Sequence, residues 1–355
     1  GQMRVLQALI AVVALILVAL VVSQVPGGQS LLGIVLPYLA FALFLGGFIY
    51  KVVEWAKSPV PFRIPSTCGQ QNSLSFIKQD KLDCPSTKLE VVGRMLLEVL
   101  LFRSLFRNTK ASIHDGPHLA YGSNKWLWIF AILFHYSFLV IVLRHFRLFT
   151  DPIAPFVPPL EFFDGFLEIG ATTIYMSSFI LLAAVAFLFL RRLVRPYLRY
   201  ISLTADYFPL LLIFAIGASG ILMRHVFRVD IVAAKELAVG LTTFSPAISG
   251  EIGAIFFIHV FLVCVLMAYF PFSKLMHLGG VFMSPTRNMA NNSRMVRHEN
   301  PWNDPKIKPH SYSAYEDEFR EFMVNADLPV EKELEPAPEE PAAESGSPDS
   351  EEAKA

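Results

Sequence analysis

The chain has 355 residues, of which 54% are hydrophobic and only 17% charged, and its thirty basic side chains balance thirty acidic ones. A formal net charge of zero argues against nucleic acid as a partner. Three cysteines without a CxxC or comparable spacing exclude a disulfide framework and a zinc or iron–sulfur site held by the chain's own thiols.

In chain order, six near-continuous apolar runs reach the ~20 residues a helix needs to cross a bilayer. They cover roughly 3–24, 31–55, 125–147, 167–190, 206–224 and 250–272. The expected fold is therefore all-α, a polytopic membrane helix bundle of six spans, because helices satisfy their own backbone hydrogen bonds where lipid cannot. The first run follows Arg4 and ends in SQVPGG without a small-x-small cleavage site, so it reads as a retained anchor helix. The expected organisation is an N-terminal anchor at 1–30, a second span at 31–57, a loop with an amphipathic helix at 58–124, a four-helix part at 125–280 and a tail at 281–355.

Orientation follows from Lys and Arg in the loops. The 56–124 loop carries Lys57, Arg63, Lys78, Lys81, Lys88, Arg94, Arg103, Arg107 and Lys110, and the 191–205 loop carries Arg191, Arg192, Arg195 and Arg199. Both belong on the cytoplasmic side. The 148–166 segment has no Lys or Arg but holds Asp151, Glu161 and Asp164, which places it outside. Six spans then leave both termini in the cytoplasm, and the protein in the cytoplasmic (inner) membrane. Within the first loop, KLEVVGRMLLEVLLFRSLFR (88–107) is basic and amphipathic, suited to the membrane interface or to a docking partner. In the tail, SAYEDEFREFMVNA (313–326) sets Tyr315, Phe319, Phe322 and Met323 on one helical face, and a Pro-, Glu- and Ser-rich end follows that is expected to be disordered. That helix suits a cytoplasmic partner or the protein's own loops.

Four of nine histidines fall in or beside two spans: His135 and His145, ten apart, and His259 and His277, eighteen apart. Ten residues leave about 80° between side chains and eighteen make five whole turns, so each pair lies broadly on one helix face. The two spans are antiparallel, so His135 can meet His277 and His145 can meet His259. Two imidazole pairs stacked across a bundle suit two bis-imidazole haems b. The axial rises differ, about 15 Å against about 27 Å, and Pro271 within AYFPFSKLMH can interrupt the sixth helix to absorb the difference. Gly279 and Gly280 would admit a macrocycle near the backbone. Isolated membrane histidines are commonly just packed. His225, at the outer end of the fifth span, competes as a ligand.

Arg144, Arg147, Arg224 and Arg228 cluster toward the outer side, where haem propionates or simple snorkelling account for them. Quinol oxidation needs a proton acceptor, and Asp151, Asp164 and Glu168 are the outer carboxylates near the fourth span. A transporter with a His/Arg-lined path is the reading from a different class, but Pro37 and Pro209 mark no convincing internal repeat.

The paired histidines, ten and then eighteen apart, resemble the respiratory nitrate reductase gamma-subunit family of di-haem cytochromes b across roughly residues 31–280. The stretch SPVPFRIPSTCGQQNSL (58–74), with LLEVLLFRSLFRNTK (96–110), resembles the membrane cytochrome b of the dissimilatory sulfite reductase-associated transmembrane complex. The resemblance implies a five-helix di-haem core plus one extra N-terminal helix. His135 and His277 would ligate the inner haem, and His145 and His259 the outer one. It further implies a quinone-reactive electron-transfer subunit of an oxidoreductase complex, with a menaquinol site near the outer haem. Its partners would be a cytoplasmic iron–sulfur subunit like that of heterodisulfide reductase, and other membrane and periplasmic subunits in sulfur or sulfite respiration. A gamma-type cytochrome of another respiratory oxidoreductase is the alternative. The nitrate reductase relatives use a lysine after the first haem helix at the quinone site; 148–166 has none, so that site does not carry over.

Overall fold

The computed structural model describes residues 2–58, 69–169, 172–250, 252–295, 306 and 308–333. The chain divides into two units, one ending at His298 and one beginning at Glu299. Cys68 and His298 lie outside the described residues, as does most of the 58–68 stretch.

Six helices of the first unit are long and apolar enough to cross a membrane: Gln2–Gln24, Gly28–Lys57, Lys125–Phe149, Met176–Val194, Thr204–His225 and Ala254–Phe272. They are the first to sixth spans. Their outward faces leave large apolar side chains uncovered, including Leu6, Ile10 and Leu17 of the first and Leu39, Phe41 and Ile49 of the second. Such a surface is stable against lipid tails and not against water.

The third span packs on the fourth, the fourth on the fifth, the fifth on the sixth and the sixth on the second; the first lies against the fifth and sixth. A shared core of Leu181 and Val185, Leu212 and Ile213, and Ile258, Leu262 and Leu266 joins the fourth, fifth and sixth spans, with Val12 and Ala19 of the first packed into it. Ala8 and Ala19 are fully buried, and small side chains are what allow close helix approach in lipid. Among the described residues, the third span and the sixth do not form one of the closely packed pairs. These are the two histidine-bearing spans.

The fourth span begins at Met176, not near 167. Residues Gly165–Ile169 and Thr172–Tyr175 form an antiparallel hairpin, β3 and β4, with Glu168 opposite Thr173. Thr172, Thr173, Ile174 and Tyr175 are β-branched or aromatic, which favours extended backbone over helix despite the apolar composition. The sixth span's α-helix ends at Tyr269; 3-10 turns at Phe270–Phe272 and Lys274–Met276 flank the extended Ser273, and a new turn starts at His277. Pro271 thus interrupts the helix, and a regular eighteen-residue stretch is not what places His277.

Between the second and third spans, Lys88–Leu101 is a helix opened by a capping box in which Thr87 Oγ1 accepts from Glu90 N–H and the Glu90 carboxylate accepts from Thr87 N–H. Leu89, Val92, Leu96 and Leu100 form an exposed stripe along it. A second hairpin, β1 at Thr109–His114 and β2 at His118–Ser123, pairs His114 with His118. The same region folds onto residues 284–293: Asn291 N–H donates to Pro85 O (2.6 Å) and Arg287 pairs with Glu98.

In the second unit, Tyr312–Asn325 is helical, capped by Ser311. The chain turns at Asp327 and returns, so that the buried Glu316 carboxylate accepts from the N–H groups of Glu331 and Lys332 at 2.9 Å each. Tyr312, Tyr315 and Phe322 stay exposed.

Candidate functional site

The structure brings the four histidines together in two pairs. The rings of His145 and His259 have centroids 6.4 Å apart and planes 6° apart; those of His135 and His277 are 5.9 Å apart with planes at 89°. Two imidazoles bound to one metal at about 2 Å each put their centroids about 6 Å apart, so both separations match a shared central atom.

In every one of the four rings Nδ1 is held by the protein. His135 Nδ1–H donates to Ala131 O and His145 Nδ1–H to Ile141 O, both at 2.7 Å and both one turn back on the third span. His277 Nδ1–H donates to Lys274 O at 2.9 Å. His259 Nδ1 lies 2.9 Å from Ser219 Oγ, whose hydroxyl donates to Ile216 O, so the hydroxyl oxygen accepts from the ring. Among the described residues no hydrogen bond reaches any of the four Nε2 atoms. Metal-ligating histidines are oriented in this way, one nitrogen donating to the protein while the other keeps its lone pair.

Among the described residues, no three His, Cys, Asp or Glu side chains converge on one point. Two nitrogens do not complete a coordination shell, so the group that fits each pair brings its own equatorial donors and needs width between the third and sixth spans.

Around the His145 pair the structure assembles a polar cluster. Asp164 is buried and forms an ion pair with Arg144 at 2.9 Å. Its oxygens also accept from Ser177 N–H (2.8 Å) and Ser177 Oγ–H (2.7 Å) at the start of the fourth span. The Arg144 guanidinium stacks 3.7 Å from the Tyr175 ring centroid, and Arg224 lies 4.6 Å from the same ring while donating to Thr173 O. Two guanidinium groups thus share one tyrosine ring, and Arg144 alone pairs with the carboxylate. Arg147 pairs with Glu161 at 2.5 Å, whereas Arg228 stands exposed in a left-handed conformation.

Other residues singled out by the sequence fall elsewhere. Asp151 is exposed and paired with Lys235, and Glu168 is exposed on β3, outside the fourth span. His225 Nδ1 lies 3.5 Å from Thr172 Oγ1, and among the described residues no ring contact joins it to either pair. Gly279 and Gly280 face Phe48 and Trp55 of the second span, so a Cβ there would meet aromatic rings.

Three contacts escaped sequence reading. Phe102, at φ 50°, sets its ring edge-on to His135 at 4.9 Å; such backbone strain gathers at functional positions. Ser219 orients His259, and its only sequence signal is a hydroxyl inside an apolar run. Tyr175 was absorbed into the expected fourth span.

Residues 119–299, about half of the chain, match the family described as nitrate reductase gamma subunit. Two relatives are each named Hdr-like menaquinol oxidoreductase cytochrome b-like subunit. The one from Archaeoglobus fulgidus is 45% identical over 78% of this chain and 84% of its own length, and the one from Archaeoglobus profundus 46% identical over 76% and 82%. With its paired histidines and six apolar spans, the chain belongs to the nitrate reductase gamma subunit family.

Proposed function

We propose that this chain is a di-haem cytochrome b subunit carrying electrons between menaquinol and a cytoplasmic iron–sulfur partner. The observation that supports it most is the double histidine pair, each ring with Nδ1 held by the protein and Nε2 left without a hydrogen bond. His135 and His277 would hold the inner haem, and His145 and His259 the outer one. The haems would supply one-electron carriers, and the protein's part is to orient the imidazoles that would hold them. Arg144 is already neutralised by Asp164 and Arg147 by Glu161. Arg224, with no carboxylate partner among the described residues, is therefore the better-suited partner for a propionate.

The relatives' name supports menaquinol as the electron donor and a heterodisulfide reductase-like subunit as the acceptor. The basic loops support placing the His135 end in the cytoplasm, with both termini, and the complex in the cytoplasmic membrane. Oxidation of quinol at the opposite face would then release its protons outside. The 58–74 stretch supports a role in sulfur or sulfite respiration.

Reduced-minus-oxidised spectra of the purified chain, with pyridine haemochrome quantification, test the reading. Two b haems per chain are expected, and a preparation without haem overturns it.

A further inference from the structure

A cavity of about 520 Å³ opens at the His145 end between the first span, the 227–230 segment and the start of the sixth span. Its walls are apolar: Leu20, Phe227, Ile255 and Ile258 line it. Ile258 directly precedes His259, and Ile255 lies one turn before it. At the rim stand Arg228, a donor, and Asp230, whose Oδ1 accepts from Val232 and Ala233 N–H. Asp230 Oδ2 accepts no hydrogen bond among the described residues. The rim is pre-set, because Phe227 N–H donates to Leu222 O and Val229 N–H to Met223 O, fixing Arg228 between them at φ 46°. A non-glycine residue held in the left-handed region is uncommon and gathers at ligand clamps. Gly253 leaves the approach open, since a Cβ there would meet nothing within 4 Å.

We infer that this cavity is the quinol-binding site. An apolar ring with a hydroxyl at its edge fits the walls and rim together: the hydroxyl hydrogen donates to Asp230 Oδ2, its oxygen accepts from Arg228, and an isoprenoid tail leaves along the exposed face of the first span. The size suits a bicyclic head group. None of Asp151, Asp164 and Glu168 lines this cavity. The inference rests on the menaquinol reading above and gives it a place.

Binding of 2-heptyl-4-hydroxyquinoline N-oxide to the full-length protein, followed by quenching of the probe's fluorescence, tests this. Wild type should titrate to one site that menadione displaces. Ile255→Trp, which fills the cavity, should weaken binding at least 10-fold, and Arg228→Ala, at an exposed position, about 10-fold; haem content and the dithionite-reduced spectrum should stay unchanged in both. Asp230→Asn keeps a good helix cap and should weaken binding several-fold. Wild-type affinity in Ile255→Trp and Arg228→Ala overturns the site, as does displacement by phosphatidylglycerol but not by menadione, which would mark a lipid pocket. Absence of haem from wild type with the binding pattern intact would overturn the di-haem reading and leave the cavity assignment standing.

Discussion

At the His145 end both histidines sit on unbroken helices, their ring planes are nearly parallel, and the neighbouring Arg144 is locked to buried Asp164. At the His135 end the second histidine lies beyond a break at Ser273, its side chain is exposed, and the planes are perpendicular. Burial, ring orientation and nearby charge all tune a haem, and each differs between the ends. One pair is thus set by helix packing and a buried ion network. The other depends on a loop, with Phe102 and Phe134 edge-on to His135.

The sharpest way to break that contrast is at Asp164. Asp164→Asn leaves Arg144 buried and without its ion pair, a change worth about 3–5 kcal/mol, whereas Asp151→Asn removes an exposed pair worth at most about 1 kcal/mol. Denaturant titration of the two variants should rank them in that order; equal midpoints would show that the buried Asp164–Arg144 pair does not set the stability of this end. Ring orientation offers a spectroscopic sharpening. If each pair holds a haem as proposed, the parallel rings should give a rhombic low-spin ferric signal and the perpendicular ones a strongly anisotropic signal, so electron paramagnetic resonance should resolve one of each. Two identical signals would erase the distinction between the ends.

Acid should act at the His135 end first. Asp83 is buried, which alone would raise its pKa, but hydrogen bonds and charge from Arg103 and Arg107 outweigh this and hold it down at about 2. A depressed carboxylate contributes stability that is present above its unfolded value near 4 and lost as pH falls through about 2. Trp128, whose indole donates to Leu101 O, should report that loss by fluorescence between those values, and Asp83→Asn should flatten the profile. The smallest effect is local: Thr87→Ala removes one half of the capping box and should cost about 1 kcal/mol, seen as faster proteolysis within 88–101.

The six spans were legible because runs of about 20 apolar residues admit one solution in lipid. The meeting of the histidines was legible too, since antiparallel helices bring the matching ends together. The start of the fourth span was not. Apolar runs of four to eight residues read equally as helix or strand, and only the Thr172–Tyr175 side chains tip the balance. The hairpin at 109–123 did carry a local signal, the Asp115-Gly116 pair that favours tight turns, which the charge pattern of the loop obscured. Arg144 finding Asp164, twenty residues on, depends on how the hairpin folds back, and spacing alone does not reveal it. The same holds for Ser219 beside His259: only helix packing shows which hydroxyl in an apolar run faces a ring.

The most direct measurement is potentiometric titration with haem quantification across His135→Ala, His277→Ala, His145→Ala and His259→Ala. The account predicts that the first two variants lose one and the same redox component, that the last two lose the other, and that each keeps one haem. Retention of both haems in His145→Ala, with loss in His225→Ala instead, would contradict it, as would any crossing of the two pairs.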